Sequence, residues 1–253
     1  MGIVSDLLYQ DNPKRRETVQ ALADSIVGDV NFIEKATNDS IERINKFLTV
    51  KREKVMSRGK TINQFLLEVQ QAFADLGRNA EEQYKVLSAT VDTAVVENVR
   101  RKVQGLDLKK MREAIRELEI AGWTEGKAVA VVASLVTKEV TMHLEMCLER
   151  TAWASVSGLG GLVAGALAGT LVFVIFEAIS GAVERAELER RIRELTKAEQ
   201  TIHDNCVAIV DSAQRLYVAL IFIQITSGTA EPGNEFCFGY VSPLTLYLLF
   251  QEH

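Results

Sequence analysis

The stretch LERRIRELTKAEQTIHDNCVAIVDSAQRLYVAL, Leu188–Leu220, carries the most regular hydrophobic pattern of the chain. Its apolar positions recur in alternating steps of four and three residues, a spacing that places side chains along one seam of a helix. Such a seam favours packing against other helices of the same chain, with self-association as the alternative. The seam has one polar interruption, at Glu199. The predicted seam positions are Leu188, Ile192, Leu195, Glu199, Ile202, Cys206, Ile209, Ala213, Leu216 and Leu220.

Long helices are predicted over most of the remaining chain as well. The prolines are Pro13, Pro232 and Pro243, so the residue that most reliably breaks a helix is missing between the first two. Together these patterns predict an all-α fold, an elongated bundle of long antiparallel helices. The stripes and turn residues predict a helix from Thr18 to about Lys51, a turn at Ser57–Lys60, a further break at Leu76–Asn79, and helices over Ala80–Val103, Leu108–Ile120 and Thr124–Arg150, with Gly105 and Asp107 as stop and N-cap.

An uncharged run, TAWASVSGLGGLVAGALAGTLVFVIF, occupies Thr151–Phe176, just before the seam helix. As one straight helix it would measure about 39 Å against a hydrocarbon core of about 30 Å, so it is long enough to span a bilayer with tilt. Three glycines within Gly158–Gly161 weaken a helix and permit a turn, which favours a hairpin. The flanks carry mixed charges, and the helices on both sides are patterned to pack together. We therefore expect both ends of the run on one side of the membrane.

Small residues four apart in this run, at Gly161, Gly165 and Gly169, predict a face along which membrane helices approach closely. The alternative is a buried core helix, in which each glycine would cost about 1 kcal/mol relative to alanine. The predicted helix-packing glycines are Gly158, Gly160, Gly161, Gly165 and Gly169. The predicted membrane-inserting residues are Trp153, Leu159, Leu162, Val163, Leu167, Leu171, Val172, Phe173, Val174, Ile175 and Phe176.

Four ranges follow from these patterns. Residues 1–150 are predicted to form the long-helix bundle, and residues 151–183 the glycine-rich apolar hairpin. Residues 184–227 are predicted to form the long helix that returns to the bundle. Residues 228–253 contain two prolines and several aromatic side chains, so they are predicted to form an irregular C-terminal cap.

Composition and motifs argue against several classes of function. The chain is 25% charged with a net charge of -5, which offers nucleic acid no overall attraction. Hydrolase, metalloprotease and dinucleotide-binding fingerprints do not occur, so we expect neither an enzyme nor a cofactor. His143 with Cys147 and His203 with Cys206 each share a helix face, yet no CxxC-type spacing supports a metal site. The first twenty residues lack the apolar core of a secretory signal, so we expect any export to take another route.

Long proline-free helices, a glycine-rich apolar hairpin past mid-chain and a long heptad helix that returns from it resemble the α-helical pore-forming toxins of the cytolysin A and haemolysin BL type. The local likeness lies in GGLVAGA at Gly160–Ala166 and AISGAVE at Ala178–Glu184. These two stretches resemble the apolar tongue of cytolysin A and the helix that leaves it. The chain departs from that family by being shorter and by ending in an aromatic tail after Gly228.

The resemblance implies a soluble monomer that covers Thr151–Val183, exposes it on membrane contact and oligomerises into a pore. It implies secretion without a classical signal peptide, and target-membrane lipids as partners, with or without a second toxin component. It also gives Gly2–Leu8 and the helix after Pro13 a part in insertion. Two other functions stay open: a resident membrane-anchored tether or remodelling protein, and a soluble coiled-coil scaffold that keeps the apolar run buried.

Overall fold

The computed structural model describes residues 10–89, 91–150 and 181–226, and within these ranges it contains helices and no strands. The predicted all-α bundle is confirmed. The predicted hairpin and C-terminal cap lie almost wholly outside the described residues. The helices are α1 (Asn12–Ile44), α2 (Ile62–Ser88), α3 (Thr93–Val103), α4 (Leu108–Ile120), α5 (Glu125–Arg150) and α6 (Gly181–Thr226).

The turn between α3 and α4 follows the sequence prediction. Gly105 has a φ of 80°, a left-handed conformation that suits the end of a helix. The Asp107 side chain accepts a hydrogen bond from the backbone N–H of Lys110 at 3.1 Å and so caps the start of α4. Helix α4 therefore begins at Leu108 and ends at Ile120, as predicted.

Several other predicted boundaries are wrong. Helix α1 begins at Asn12, before the predicted start at Thr18, and it ends at Ile44 without reaching Lys51. Helix α2 continues through the expected break at Leu76–Asn79. The helix predicted over Ala80–Val103 is divided, because α2 ends at Ser88 and α3 begins after Asp92. The Asp92 carboxylate accepts a hydrogen bond from the backbone N–H of Ala94 at 2.7 Å, so a new N-cap starts α3.

Side-chain amides explain why α1 stops early. After Ile44 the chain runs without helix through residues 45–61, which we call the crossover. The Asn45 amide bonds both backbone groups of Arg52, accepting from its N–H at 2.9 Å and donating to its carbonyl at 2.8 Å. The Asn38 amide likewise accepts a hydrogen bond from the N–H of Val55 at 2.8 Å and donates one to the carbonyl of Val55 at 2.9 Å. These amides supply the partners that helix or sheet would otherwise provide for the backbone of the crossover.

Two compact units share the long helices. Helices α1, α2 and α6 each begin in unit 1 and end in unit 2, whereas α5 begins in unit 2 and ends in unit 1. Helices α3 and α4 belong to unit 2. Unit 1 comprises Met1–Asp39, Glu53–Ala74 and Leu144–Val210, and unit 2 comprises Ser40–Arg52, Asp75–His143 and Asp211–His253.

Helices α1 and α6 run parallel in unit 1. Their paired side chains stay 174 residues apart in the sequence as the position along both helices advances. The expected antiparallel order therefore does not apply to α1 and α6. The crossover returns the chain to unit 1 before α2 starts, so α1, α2 and α6 all run from unit 1 to unit 2 and α5 runs the other way. In unit 2 that order does hold for α2 and α5. The α1–α6 pairs of unit 1 are Arg15–Glu189 at 3.2 Å, Ser25–Glu199 at 3.0 Å and Asp29–His203 at 3.3 Å. The α2–α5 pairs of unit 2 are Gln83–Ser134 at 3.0 Å and Glu81–Lys138.

The buried seam of α6 differs in one row from the predicted one. Every seventh residue from Leu188 to Leu216 is buried as predicted, and Ile223 continues that row. The second row lies three residues after the first, whereas the prediction placed it four residues after, and it consists of small side chains that let a neighbouring helix approach closely. Of the predicted second row, only Cys206 and Leu220 are buried. The observed second row is Ala198, Asn205, Ser212 and Ala219.

Substituting Asn38 by alanine tests the role of the crossover amides. We expect Asn38→Ala to lower the free energy of unfolding by roughly 2 kcal/mol, because two hydrogen bonds of about 1 kcal/mol each are lost. Asn31→Ala is the matched control, since Asn31 is an exposed residue of the same helix, and it should change stability by less than about 0.5 kcal/mol. Denaturant unfolding followed by circular dichroism measures both. Equal stabilities of the two variants would contradict this account of the crossover.

Candidate membrane-interacting site

Every predicted membrane-inserting residue and packing glycine, from Trp153 to Phe176, lies outside the described residues. The structure does describe the two helix ends that border this segment. Helix α5 ends at Arg150 and α6 begins at Gly181. What the structure adds to the candidate site is therefore the packing and the charges of its borders.

Both borders are packed into the same compact unit. On α5, Leu144 and Leu148 are buried and lie four residues apart, which is one face of a helix. On α6, Leu188 opens the buried seam. All three belong to unit 1, so the two helix ends that border the uncharged segment lie in the same unit.

A cluster of ion pairs covers the first turns of α6. The Glu187 carboxylate accepts two hydrogen bonds from Arg190, at 2.7 Å and 2.9 Å, and one from Arg191 at 2.6 Å. Arg190 also donates to Glu194 at 2.7 Å. A guanidinium that binds a carboxylate through two nitrogens is held in a defined orientation, so these charges form a connected border beside the apolar segment.

A second set of ion pairs ties the same border to α1. Glu189 accepts a hydrogen bond from Arg185 of its own helix at 2.9 Å and contacts Arg15 of α1 at 3.2 Å. The N-terminal part of α1 therefore lies directly beside the start of α6 in unit 1. Because Arg15 and Glu189 keep part of their surface exposed, we assign this contact an orienting role more than a large stabilising one.

The border groups favour their charged forms. Hydrogen bonds from Arg190, followed by those from Arg191, outweigh slight burial and lower the pKa of Glu187. The hydrogen bond from Arg185 lowers the pKa of Glu189 in the same way, and the bond to Glu187 raises the pKa of Arg190. Charged side chains of this kind are costly to move into hydrocarbon.

A polar layer between α1 and α6 follows the charged border in unit 1. Ser25 donates a hydrogen bond to Glu199 at 3.0 Å, and His203 Nδ1 lies 3.3 Å from a carboxylate oxygen of Asp29. Burial and the nearby Asp29 carboxylate raise the pKa of the Cys206 thiol to about 11. Sequence reasoning identified the interruption at Glu199 but missed its partners, because nothing in the sequence aligns α1 with α6.

Two further findings concern the ranges that the structure describes. No group of three or more His, Cys, Asp or Glu side chains there could hold a metal ion. One helical stretch, Arg185–Thr226, is long and apolar enough to cross a membrane, and 39% of its most apolar part is buried. Core helices of soluble proteins also have this length and composition, so this stretch alone does not identify a spanning helix.

No model of a protein family matches the chain, and no solved structure matches it. The case for a membrane site therefore depends on the uncharged segment itself and on the contacts of its two borders.

Substituting Glu187 by glutamine tests the charged border. The lowered pKa means that the carboxylate of Glu187 stabilises the fold above the ordinary pH range of a carboxyl, and that this contribution is lost as pH falls through the lowered value. We expect Glu187→Gln to accelerate amide hydrogen exchange in the first turns of α6 roughly two- to fivefold at neutral pH. The difference from the parent should shrink as pH falls below the ordinary carboxyl range and vanish once pH lies below the lowered pKa of Glu187, after correction for intrinsic exchange.

Glu113→Gln is the control, because Glu113 is exposed on α4 in unit 2. It should leave exchange in the first turns of α6 unchanged at every pH. A Glu187 variant whose exchange matches that of the Glu113 variant would show that the border carboxylate does not hold this part of α6.

Proposed function

We propose that the protein permeabilises membranes as a pore-forming protein that converts from a soluble monomer to a membrane-inserted oligomer. Residues 151–183 would form the inserting hairpin, and lipids of a target membrane would be the partners. This proposal includes secretion without a classical signal peptide and leaves the number of toxin components open. It assigns the function to a conformational change and to no catalytic group.

The observation that carries the proposal is an uncharged run of 26 residues, Thr151–Phe176, whose bordering helix ends both belong to unit 1. Two borders in the same unit suit a hairpin inserted from one side of a bilayer. A single-pass anchor would separate its two borders by the thickness of the membrane. The ion pair between Glu187 and Arg190 supports the same arrangement, because charged side chains favour the water interface over the hydrocarbon core.

Energies of ordinary size are enough for the conversion. Moving a population from about 1% to about 99% inserted requires lipid to favour the inserted state by roughly 5.5 kcal/mol. Fully burying one large apolar side chain contributes about 1.5–3 kcal/mol. The block Leu171–Phe176 contains six such side chains, so about two to four of them would suffice if they are less well covered in water than in lipid.

Buried hydroxyl groups lower the cost of leaving the soluble state. The side-chain oxygens of Thr37, Thr137 and Ser212 are buried without a hydrogen-bond partner in the described structure. Each unsatisfied group costs about 1–3 kcal/mol. A bundle with such groups along its helix interfaces is less stable than an all-apolar one, which supports a soluble state that lipid can displace.

The scaffold alternative is less well supported by the packing. A scaffold that bound a partner helix through the α6 seam would need that seam to be available. Its first row, from Leu188 to Ile223, is buried within the chain itself. The resident-anchor alternative predicts that the purified chain requires detergent, and this requirement separates it from the proposed function.

Dye release from liposomes tests the proposal. We expect the detergent-free parent protein to release an encapsulated dye, and we expect Val172→Asp/Ile175→Asp to lose at least tenfold in rate. Two carboxylates at the bilayer centre each oppose insertion by about 2.5–3.5 kcal/mol. Circular dichroism and thermal unfolding of both proteins establish that the variant keeps the soluble fold.

Val50→Asp/Val86→Asp is the matched control, since both valines are more than half exposed in the described structure. This control adds the same charge outside the segment and should release dye like the parent. No release by a folded parent at any lipid composition would contradict the proposal, as would release by the segment variant at the parental rate.

A further inference from the structure

The turn between α3 and α4 in unit 2 carries a concentration of positive charge. From Arg100 to Arg112 the chain has six basic residues and a single acidic one, Asp107. The carboxylate of Asp107 is already engaged in capping α4. A local excess of this size contrasts with the net charge of -5 for the whole chain.

The exposed members of this turn are not neutralised by neighbouring carboxylates. Lys102 forms an ion pair with Glu117 at 2.8 Å, which lowers the pKa of that carboxyl. Arg100 forms another with Glu97 at 3.9 Å, so two of the six positive charges are paired. Arg101, Lys109 and Lys110 are exposed, and the side chains of Lys109 and Lys110 form no ion pair with a described residue. The turn therefore presents positive charge that is available to an anionic partner.

An apolar helix end lies beside the basic turn in the same unit. The last eleven residues of α6, Leu216–Thr226, contain no charged side chain, and Ile225 is 41% exposed. The Arg112 guanidinium of α4 lies 5.2 Å from the centre of the Phe222 ring, so α4 contacts this end of α6. Arg43 of α1 lies 3.9 Å from the centre of the Tyr217 ring. Each of the two aromatic rings of this helix end therefore has an arginine guanidinium over it, in a cation–π contact.

We propose that the α3–α4 turn and the C-terminal end of α6 together form a surface that binds an anionic lipid bilayer. The lysines would contact anionic headgroups, while Ile225 and the aromatic rings of Tyr217 and Phe222 would contact the boundary between headgroups and acyl chains. A surface that combines basic residues with aromatic and aliphatic ones binds favourably at the boundary between headgroups and acyl chains. A nucleic acid would use the charges alone and leave the apolar helix end without a partner.

This inference deepens the proposed function and rests on it in taking a membrane as the partner, because it names the lipid charge that is recognised. It uses a different part of the chain, since the surface belongs to unit 2 and the borders of the uncharged segment belong to unit 1. Binding and permeabilisation can therefore be measured separately. The surface would hold the protein on the membrane before and independently of insertion.

Co-sedimentation with vesicles tests the surface. We expect the parent to bind phosphatidylcholine vesicles that contain phosphatidylserine more tightly than vesicles of phosphatidylcholine alone, with the preference lost at high salt. Lys109→Gln/Lys110→Gln should weaken binding to the anionic vesicles roughly thirtyfold, which corresponds to about 1 kcal/mol for each basic residue near the surface. Ile225→Ser should weaken binding at both low and high salt, because its contribution is apolar.

The control is Lys51→Gln/Lys127→Gln, two exposed lysines of unit 2 outside the α3–α4 turn, which should bind like the parent. The folded Val172→Asp/Ile175→Asp variant should also bind anionic vesicles, even though it releases no dye. If the parent binds anionic vesicles through the turn but never releases dye, the proposed function fails and this surface stands. Equal binding of neutral and anionic vesicles, equal binding by the two lysine variants, or binding to a DNA duplex with none to vesicles would overturn the surface.

Discussion

The parallel contact between α1 and α6 in unit 1 is the constraint on which the candidate site depends. Three polar pairs hold these helices in one register, and the first of them, Arg15–Glu189, lies near the start of α6. Helices α1 and α2 each run from unit 1 to unit 2, so the chain has to return to unit 1 between them. The crossover at residues 45–61 provides this return between α1 and α2, with its backbone held by Asn38 and Asn45.

Polar groups shape this protein as much as its apolar core does. Ion pairs lower the pKa values of Glu187 and Glu189 and so favour their charged forms, and a polar layer follows at Glu199 and His203. Small and polar residues fill the second row of the α6 seam, where they let a neighbouring helix approach closely. These polar contacts hold α1 and α6 in a specific register.

Helix content and the boundaries of α4 could be read from the sequence, because a glycine stop and an aspartate cap act locally. The early end of α1 could not, since Leu48 continues the apolar stripe and is buried although it lies outside the helix. Parallel and antiparallel neighbours produce the same heptad pattern, so the direction of α6 relative to α1 was not encoded in its periodicity. Absence of charge identified the candidate segment. The partners of its border, such as Arg15, became known only once α1 was placed beside α6.

The most direct test of the central claim is the depth of the uncharged segment in lipid. An environment-sensitive fluorophore would be attached at Val174→Cys, and in a second protein at the exposed Val207→Cys, after Cys147, Cys206 and Cys237 are replaced by alanine. The account predicts that vesicles shift the emission of the label at position 174 to shorter wavelength and that quenchers on lipid acyl chains reduce it, with neither effect at position 207. A label at position 174 whose emission and quenching are the same with and without vesicles would contradict the account.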